Sequence, residues 1–479
     1  MKNRHFLFSD TLLFLVLSLC ILREASAACH VDDEAGLLAF KSGITYDPSG
    51  ILNSWKQGTD CCSWSGITCL NNNRVTAISV YGQPDKSNGY LSGTISPSLV
   101  KIQHLDGIYL QNLRNITGKF PDLLFGLPEL KYVYIENNKL SGQIPENLGK
   151  LKKLEALSFA GNQFSGPIPS SISELTQLSQ LKLGNNLLSG TVPAGVGQLK
   201  NLTFLSLEFN RLSGRIPDIW SALTDLRILR LSHNKFSGNI PSSISSLAPK
   251  LGYLELGHNG LTGQIPDFLG RFQSLDTLDL SGNKLTGVVP KTFANLTKIF
   301  NLDLSYNCLV DPFPVMNVKG IESLHLSNNK FHLNTIPAWV TSSPIIFSLK
   351  LANCGIKMNL SQWRPKETYF YDYIDLSGNE ISGSPVWLLN STDYLVGFWA
   401  ARNKLKFDMG KLRIVSTLKH LDLSKNLVYG KLPGAVSGLD SLNVSYNHLC
   451  GKIPAAKFPA SAYVGNDCLC GPPLAPCKA

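Results

Sequence analysis

Three consecutive segments of this chain repeat one pattern. Residues 154–164 read LEALSFAGNQF, residues 178–188 read LSQLKLGNNLL, and residues 202–212 read LTFLSLEFNRL. Each has the form L-x-x-L-x-L-x-x-N-x-L, with Phe replacing Leu twice in the first, and the pattern returns about every 24 residues between residues 130 and 450. Short alternating apolar segments predict strands. A fixed period of this length predicts that equivalent turns of the chain stack on one another.

One polar position stays in phase with the leucines throughout the array. It is occupied by Asn138, Asn162, Asn186, Asn210, Asn234, Asn259, Asn283, Asn307, Asn329, Cys354, Asn379, Asn403, Asn426 and Asn447. An amide side chain both donates and accepts hydrogen bonds, so it can satisfy backbone groups where the buried chain bends out of a strand. We therefore predict an α/β leucine-rich-repeat solenoid, a right-handed superhelix with a parallel β-sheet on its concave face.

The second half of many repeats carries the series L-x-G-x-I-P. It recurs at residues 142–145 (GQIP), 166–169 (GPIP), 214–217 (GRIP), 238–241 (GNIP) and 263–266 (GQIP). Glycine permits backbone angles closed to other residues, and proline restricts φ and lacks an N–H donor, so together they favour a tight return path on the outer face. In this feature the chain resembles the plant extracellular subclass of leucine-rich repeats.

Repeats ten to fourteen lose this signature. DPFP at residues 311–314, MNL at 358–360 and FDMG at 407–410 replace it. Two explanations remain open: relaxed constraint on an outer face, or a partner-specific surface. Four tryptophans lie in the same region: Trp339, Trp363, Trp387 and Trp399.

The N-terminus has the pattern of a secretory signal. Lys2 and Arg4 precede an apolar run over residues 11–22, and residues 25–27 (ASA) form a small-residue cleavage site. The apolar run is too short to span a bilayer, and the C-terminus lacks the apolar tail of a lipid-anchor signal. We predict a signal peptide over 1–27, an N-terminal cap over 28–74, about sixteen repeats over 75–454 and a C-terminal cap over 455–479. The product is expected to be secreted, without membrane insertion.

Cysteines concentrate outside the repeats. Four precede the array and four follow it: Cys29, Cys61, Cys62, Cys69, Cys450, Cys468, Cys470 and Cys477. The ends of a solenoid expose apolar core, and small caps on the secretory route are commonly stapled by disulfides. Zinc is the competing interpretation, but no histidine stands in ligand spacing near either group. Cys308 and Cys354 lie two turns apart, about 10 Å at strand spacing, so we expect both to be free.

Both caps strengthen the resemblance. Residues 60–69 (DCCSWSGITC), 442–454 (LNVSYNHLCGKIP) and 466–478 (NDCLCGPPLAPCK) are similar to the caps of polygalacturonase-inhibiting proteins and of related secreted proteins named for DNA-damage toleration. The resemblance implies the pairs Cys29–Cys61, Cys62–Cys69, Cys450–Cys468 and Cys470–Cys477. It also implies binding to pectin-cleaving enzymes, although those inhibitors carry about ten repeats and this chain about sixteen.

The residue between the two inward leucines of each strand should face the concave side. This column comprises Tyr109, Tyr134, Ser158, Lys182, Ser206, Arg230, Glu255, Asp279, Asp303, His325, Lys350, Asp375, Trp399, Asp422 and Asn443. We select as binding candidates Tyr134, Lys182, Arg230, Glu255, Asp279, Asp303 and Trp399, and add Phe209 for its aromatic type. Lys182 and Arg230 are expected to form a basic stretch, and the three acids that follow an acidic one.

Six sequons are present. Their asparagines are Asn115, Asn201, Asn295, Asn359, Asn390 and Asn443. On a secreted chain they predict glycosylation.

Composition and motifs narrow the function. The chain has 479 residues, of which only 16% are charged, and a formal net charge of +10. Positive charge favours polyanionic neighbours, and without basic runs these are expected to be acidic wall polysaccharide such as pectin, not nucleic acid. No catalytic or phosphate-binding motif appears, so we predict no enzyme, no cofactor and no metal.

Three functions remain open. The first is a cell-wall recognition protein or inhibitor acting in defence on secreted glycan-degrading enzymes. The second is an extracellular ligand-binding partner of membrane receptor kinases. The third is a structural wall or ice-interacting protein.

Overall fold

The computed structural model describes residues 29–70, 73–454 and 457–477. The predicted signal peptide (1–27) lies outside the described residues, as do residues 71–72, 455–456 and 478–479 of the predicted caps. The chain divides into two units, residues 1–189 and 190–479.

In the first unit, the leucine segments form one sheet, whose members are called inner strands. They are Ile67–Leu70, Arg74–Tyr81, Gly107–Gln111, Tyr132–Glu136, Ala156–Ser158 and Gln180–Lys182. The first pair is antiparallel and the others are parallel and in register. Leu157 and Leu181 are fully buried beneath this sheet, as a period of two places them.

A second sheet in this unit is formed by outer strands. They are Ile44–Tyr46, Leu91–Thr94, Arg114–Gly118, Lys139–Gln143, Gln163–Gly166 and Leu187–Gly190. The unit begins with helix α1, Val31–Ser42, which extends beyond the predicted residues 33–41. Three acids occupy its first turn, where the partial positive charge of a helix N-terminus favours them.

The second unit repeats this arrangement. Its inner strands are Phe204–Ser206, Ile228–Arg230, Tyr253–Glu255, Thr277–Asp279, Asn301–Asp303, Ser323–His325, Ser348–Lys350, Tyr373–Asp375, Gly397–Trp399, His420–Asp422 and Ser441–Asn443. All of them pair in parallel and in register. The predicted solenoid with a parallel sheet is confirmed.

Outer strands in the second unit are less regular. They are Arg211–Arg215, Lys235–Gly238, Gly260–Gln264, Lys284–Val288 and Cys308–Val310, then Ser382–Gly383 and Lys404–Leu405, then Tyr429–Gly430, His448–Lys452 and Cys468–Cys470. The first run ends at the residues DPFP (311–314), because two prolines in four residues remove the N–H donors that a ladder needs. Two short helices, α2 (Ala338–Thr341) and α3 (Val386–Asn390), lie in the irregular repeats.

The periodic asparagines stabilise the stack as predicted. Asn283 Nδ2 lies 3.1 Å from the carbonyl oxygens of Leu256, Leu280 and Ser281, and its Oδ1 accepts a bond of 2.9 Å from Leu261 N. One side chain thus joins its own turn to the turn before it. At the cysteine position, Cys354 Sγ donates weakly to the carbonyls of two residues in the same way.

Disulfides hold both ends of the described chain. They join Cys29 to Cys61, Cys62 to Cys69, Cys450 to Cys468 and Cys470 to Cys477, the pairs implied by the resemblance. The sulfurs of Cys29, Cys61 and Cys62 cluster within 4.8 Å, a spacing that these bonds explain. Cys308 and Cys354 are free, as expected.

Candidate ligand-binding face

The solvent-facing side of the inner strands is called the sheet face. In the first unit Tyr109, Tyr134, Ser158 and Lys182 occupy equivalent positions on adjacent strands. The two tyrosine rings stack at 5.4 Å, and Lys182 Nζ lies 5.6 Å from the centre of the Tyr134 ring. Burial raises the pKa of Tyr134, so this part of the face presents neutral phenol and one ammonium group.

In the second unit the three acids expected to form an acidic stretch, Glu255, Asp279 and Asp303, occupy equivalent positions on adjacent strands. The basic residue that precedes them is paired with the first acid. Arg230 and Glu255 are in register on adjacent strands, and Arg230 Nε donates to Glu255 Oε1 at 3.1 Å. Lys182 belongs to the other unit. Arg230 therefore forms an ion pair with Glu255. In a parallel sheet the residue beside it on the neighbouring strand lies about one repeat away in sequence.

Asp279 and Asp303 are adjacent carboxylates in different environments. Burial raises the pKa of Asp279 more strongly than hydrogen bonds from Ser281 lower it. Burial also opposes ionisation of Asp303, but the hydrogen bond and charge of His325, at 2.9 Å, and donors from Ser305 outweigh it and lower its pKa. A groove of about 390 Å³ passes over Asp303 and His325 and reaches Lys350, Asp375 and Trp399.

Trp399 is the largest side chain of the column. Asp375 and Asp422 flank it on the adjacent strands. Its ring stands between those of Tyr373 and His420, at 6.2 and 6.0 Å, with interplanar angles of 17° and 15°. A Cβ added to Gly397 would lie 2.2 Å from Trp399 Cη2. The indole therefore lies across this glycine and occupies the space that a side chain would need.

Phe209, selected as a binding candidate on the concave face, lies just after an inner strand and not within it. It follows strand Phe204–Ser206 in a turn with a φ of 52°, and is half exposed. Its ring stacks on His233 at 4.1 Å, and His233 stacks on His258 at 4.2 Å. The position before each periodic asparagine, and before Cys354, adopts this left-handed conformation.

We expect the imidazole of His233 to titrate below the ordinary histidine range. Burial and the charge of His258 lower its pKa, while the carboxylate of Asp279 raises it. The unfolded chain then binds this proton more tightly, so the contribution of His233 to stability decreases as the pH falls below about 6.5. In an NMR titration, His258→Asn should raise the pKa of His233 and Asp279→Asn should lower it; shifts in the opposite directions would contradict this assignment.

Sequence reasoning missed a cluster of aromatic side chains at the edge where the inner strands begin. Tyr369 packs at 5.2 Å from Phe370 and 4.5 Å from Tyr394, and Phe347 lies 5.9 Å from Phe370. All four are exposed. They lie just before their strands, at positions for which the repeat pattern predicts neither burial nor exposure. Of the remaining tryptophans in the irregular repeats, Trp363 is buried, whereas Trp387 is exposed and covered by Arg364 at 4.2 Å.

The sequon asparagines differ in exposure. Asn201, Asn295 and Asn359 are exposed, and Asn115, Asn390 and Asn443 are half-buried. Asn443 lies on an inner strand, and its Oδ1 accepts from Ser445 N and Oγ. Its amide is thus engaged within the sheet.

In the part of the chain that the structure describes, no helix combines the length and apolar character needed to cross a bilayer.

Three family models match this chain. Residues 30–70 match a leucine rich repeat N-terminal domain, residues 91–240 a leucine-rich repeat region, and residues 249–309 a leucine rich repeat. This chain is a leucine-rich-repeat protein.

Two proteins of Arabidopsis thaliana are among the curated relatives of this chain. DNA damage-repair/toleration protein DRT100 of Arabidopsis thaliana is 37% identical over 121 residues, which are 23% of this chain and 32% of that protein. Polygalacturonase inhibitor 2 of the same organism is 38% identical over 113 residues, 22% of this chain and 34% of the inhibitor. The leucine-rich-repeat chain thus spans about a third of the length of these relatives.

Among solved structures, the crystal structure of a TDR receptor is similar to this leucine-rich-repeat protein. The two are 28% identical, with a TM-score of 0.61, over 79% of this chain and 71% of the receptor chain. The similarity extends well beyond the segments matched by the curated relatives.

Proposed function

We propose that this chain is a secreted extracellular protein that binds other proteins through its sheet face and inhibits polygalacturonase. The observation that carries the proposal is the composition of that face: charged and aromatic side chains held in register on adjacent strands, half-buried and directed to solvent. Partly desolvated aromatic and charged groups are the side chains that dominate protein interfaces. Similarity to polygalacturonase inhibitors supports the choice of partner.

Binding, not catalysis, is what this arrangement supports. The side chain of Asp303 retains 30% of its accessible surface, and general acid–base chemistry favours a dry, enclosed site. Complementary charge on a partner would set orientation and register on the row from Arg230 to Asp422. The plant cell wall is the proposed location, and pectin a secondary ligand for the net positive chain.

An inhibition assay tests this function. Purified glycosylated protein would be added to a panel of fungal and insect polygalacturonases, and reducing-end release followed. We expect saturable inhibition, and about a tenfold or larger rise in the inhibition constant for Trp399→Ala or Lys182→Glu, since central aromatic and charged residues carry interface energy. The control Lys284→Glu changes an exposed cation on an outer strand and should leave inhibition unchanged.

A second function is favoured by the receptor similarity, which covers 79% of the chain. As an extracellular partner of receptor kinases, the protein would bind a receptor ectodomain or its ligand. Absence of inhibition at micromolar protein, together with capture of a purified receptor ectodomain, would replace the first function with this one.

A further inference from the structure

His325 joins three inner strands of the second unit through both of its ring nitrogens. Its Nδ1 lies 2.9 Å from Oδ2 of Asp303 on the preceding strand. Its Nε2 lies 2.8 Å from Oγ of Ser348 on the following strand and 3.0 Å from Oγ of Ser323 on its own strand. The side chain keeps only 17% of its accessible surface. The ring is therefore held in one orientation, and its two nitrogens have different partners.

These partners determine which nitrogen carries the proton of the neutral ring. An ionised carboxylate accepts hydrogen bonds and donates none, so Nδ1 of His325 donates to Asp303. This bond and the donors from Ser305 keep Asp303 ionised, because together they outweigh burial and lower its pKa. Nδ1–H is thus present whether the imidazole is neutral or charged. The atom that gains or loses a proton is Nε2, which faces the two serines.

A proton on Nε2 reverses the hydrogen bonds of these serines. When the ring is neutral, Nε2 accepts a hydrogen bond, so Ser348 or Ser323 donates its hydroxyl proton to the ring and turns its lone pairs to solvent. When the ring is charged, Nε2–H donates to a serine oxygen, and the hydroxyl protons are free to point outward. Both serines are partly accessible. The same surface atoms therefore change from hydrogen-bond acceptors to donors.

The charge of this part of the sheet face changes at the same time. Asp303 and Lys350 are in register with His325 on the strands before and after it. Within the part of the chain that the structure describes, Lys350 forms no salt bridge. While the ring is neutral, the charges of Asp303 and Lys350 balance. Protonation of His325 leaves one positive charge in excess.

The other titratable groups around the ring form no hydrogen bond with it. They are Asp279 and Asp375, two strands away on either side; His258 and Tyr306, which line the same groove; Tyr373, beside Ser348; and Glu322, which immediately precedes the strand of His325. At two strands the acids are about 9.6 Å away at the usual strand spacing. The protonation state of the ring is therefore read mainly by Lys350 and the two serines.

We propose that protonation of His325 creates a site for one carboxylate group of a protein partner, formed by the hydroxyls of Ser348 and Ser323 and the ammonium group of Lys350. A carboxylate accepts hydrogen bonds from O–H and N–H donors and is attracted by excess positive charge. The groove over His325 and Lys350 leaves space for the group. The neutral form presents lone pairs without excess charge, so it does not favour an anion.

This inference rests on the proposed protein-binding function and assigns the regulation of one contact within it. An acidic segment of a partner is bound when His325 is protonated, and is released as the pH rises and the ring loses its proton. The contact is therefore stronger in an acidic compartment than in a neutral one.

Trifluoroacetate provides a test that needs no hydrolase or receptor, because it is a carboxylate that stays ionised while histidine titrates. Its binding to the whole chain would be followed by fluorine NMR at about pH 5 and about pH 8, the range over which histidine ordinarily changes charge. We expect the dissociation constant to be about fivefold or more lower at the acidic pH, and this ratio to fall below about twofold in His325→Gln, which cannot be protonated. The matched control, His448→Gln, removes an exposed histidine paired with Asp467 elsewhere in the second unit and should keep the ratio.

Two further measurements separate the reversal of the hydrogen bonds from the change of charge. Ser323→Ala/Ser348→Ala keeps the charge of the ring but removes the hydroxyls, and should weaken trifluoroacetate binding at the acidic pH about threefold or more. Nitrogen-15 NMR of histidine-labelled protein at about pH 8 should show a protonated Nδ1 and an unprotonated Nε2 for His325, whose signals are identified by their loss in His325→Gln.

Three outcomes would overturn the proposal: the opposite tautomer, a pH ratio that His325→Gln leaves unchanged, or an unchanged dissociation constant in the double serine variant. None of these measurements involves polygalacturonase. Failure of the proposed inhibition and failure of this inference are therefore distinguishable.

Discussion

Replacing Arg74 with methionine is expected to lower the free energy of unfolding of the N-terminal region by about 3–5 kcal/mol, the usual cost of leaving a buried charge without its partner. Asp33 lies in the first turn of α1 and is fully buried. Arg74 Nε and Nη2 each donate to it at 2.9 Å, and Val75 N donates to it at 2.9 Å. The hydrogen bonds that Arg74 donates to Asp33 raise the pKa of Arg74.

The measurement is chemical unfolding followed by tryptophan fluorescence, because Trp55 is buried near this helix and stacks on Trp64 at 5.7 Å. The control Lys153→Met removes one partner of an exposed pair, Lys153–Glu129, and should cost less than about 1 kcal/mol. The double variant Asp33→Asn/Arg74→Met should recover much of the loss, since an amide keeps an acceptor for Val75 N without a buried charge. If the single and double variants lose equal stability, packing and not the unpaired charge is responsible.

The second large effect is expected for Asn283→Ala, which should destabilise the second unit by about 2–4 kcal/mol because several buried backbone groups lose their partner at once. The side chain contacts three carbonyl oxygens and one amide in two successive turns. A methyl group satisfies none of them, and the buried site offers no replacement from solvent. Asn283 is not in a sequon, so no glycan changes with it.

Thermal unfolding by circular dichroism would measure this loss, with Asn239→Ala as the control at an exposed asparagine. Asn283→Cys should be intermediate, because Cys354 shows that a thiol can contact the same kind of carbonyl at this position. A ranking in which Cys is no better than Ala would show that the donated bonds contribute little and that the accepted bond from Leu261 N dominates.

The fold was largely predictable because its determinants are local and periodic. A strand buries every second residue, so Leu157 and Leu181 identify the covered side without any knowledge of tertiary contacts. The asparagines were interpretable for the same reason, since a side chain that both donates and accepts satisfies the backbone groups of a buried bend. The first run of outer strands likewise ends where two prolines replace the G-x-I-P segment.

The candidate site was predictable only as a column of positions. The repeat placed Arg230, Glu255 and Trp399 on one face, but it could not show which neighbours they contact. Arg230 pairs with a residue 25 positions away, and that choice depends on rotamers across two strands. The environment of Phe209 was not predictable, because the turn after each strand takes a left-handed conformation, which alternation does not reveal.

The sequence by itself therefore determined the stacked turns, the buried leucines and asparagines, and the column of residues that faces solvent, because each follows from the geometry of a single strand. Only the tertiary structure decided which charges are paired and which remain open. Asp303 is held by His325, whose ring also contacts Ser348 on the next strand, and the indole of Trp399 lies over Gly397. These outcomes depend on side chains from neighbouring turns meeting at distances of a few ångströms, and no local pattern encodes those distances.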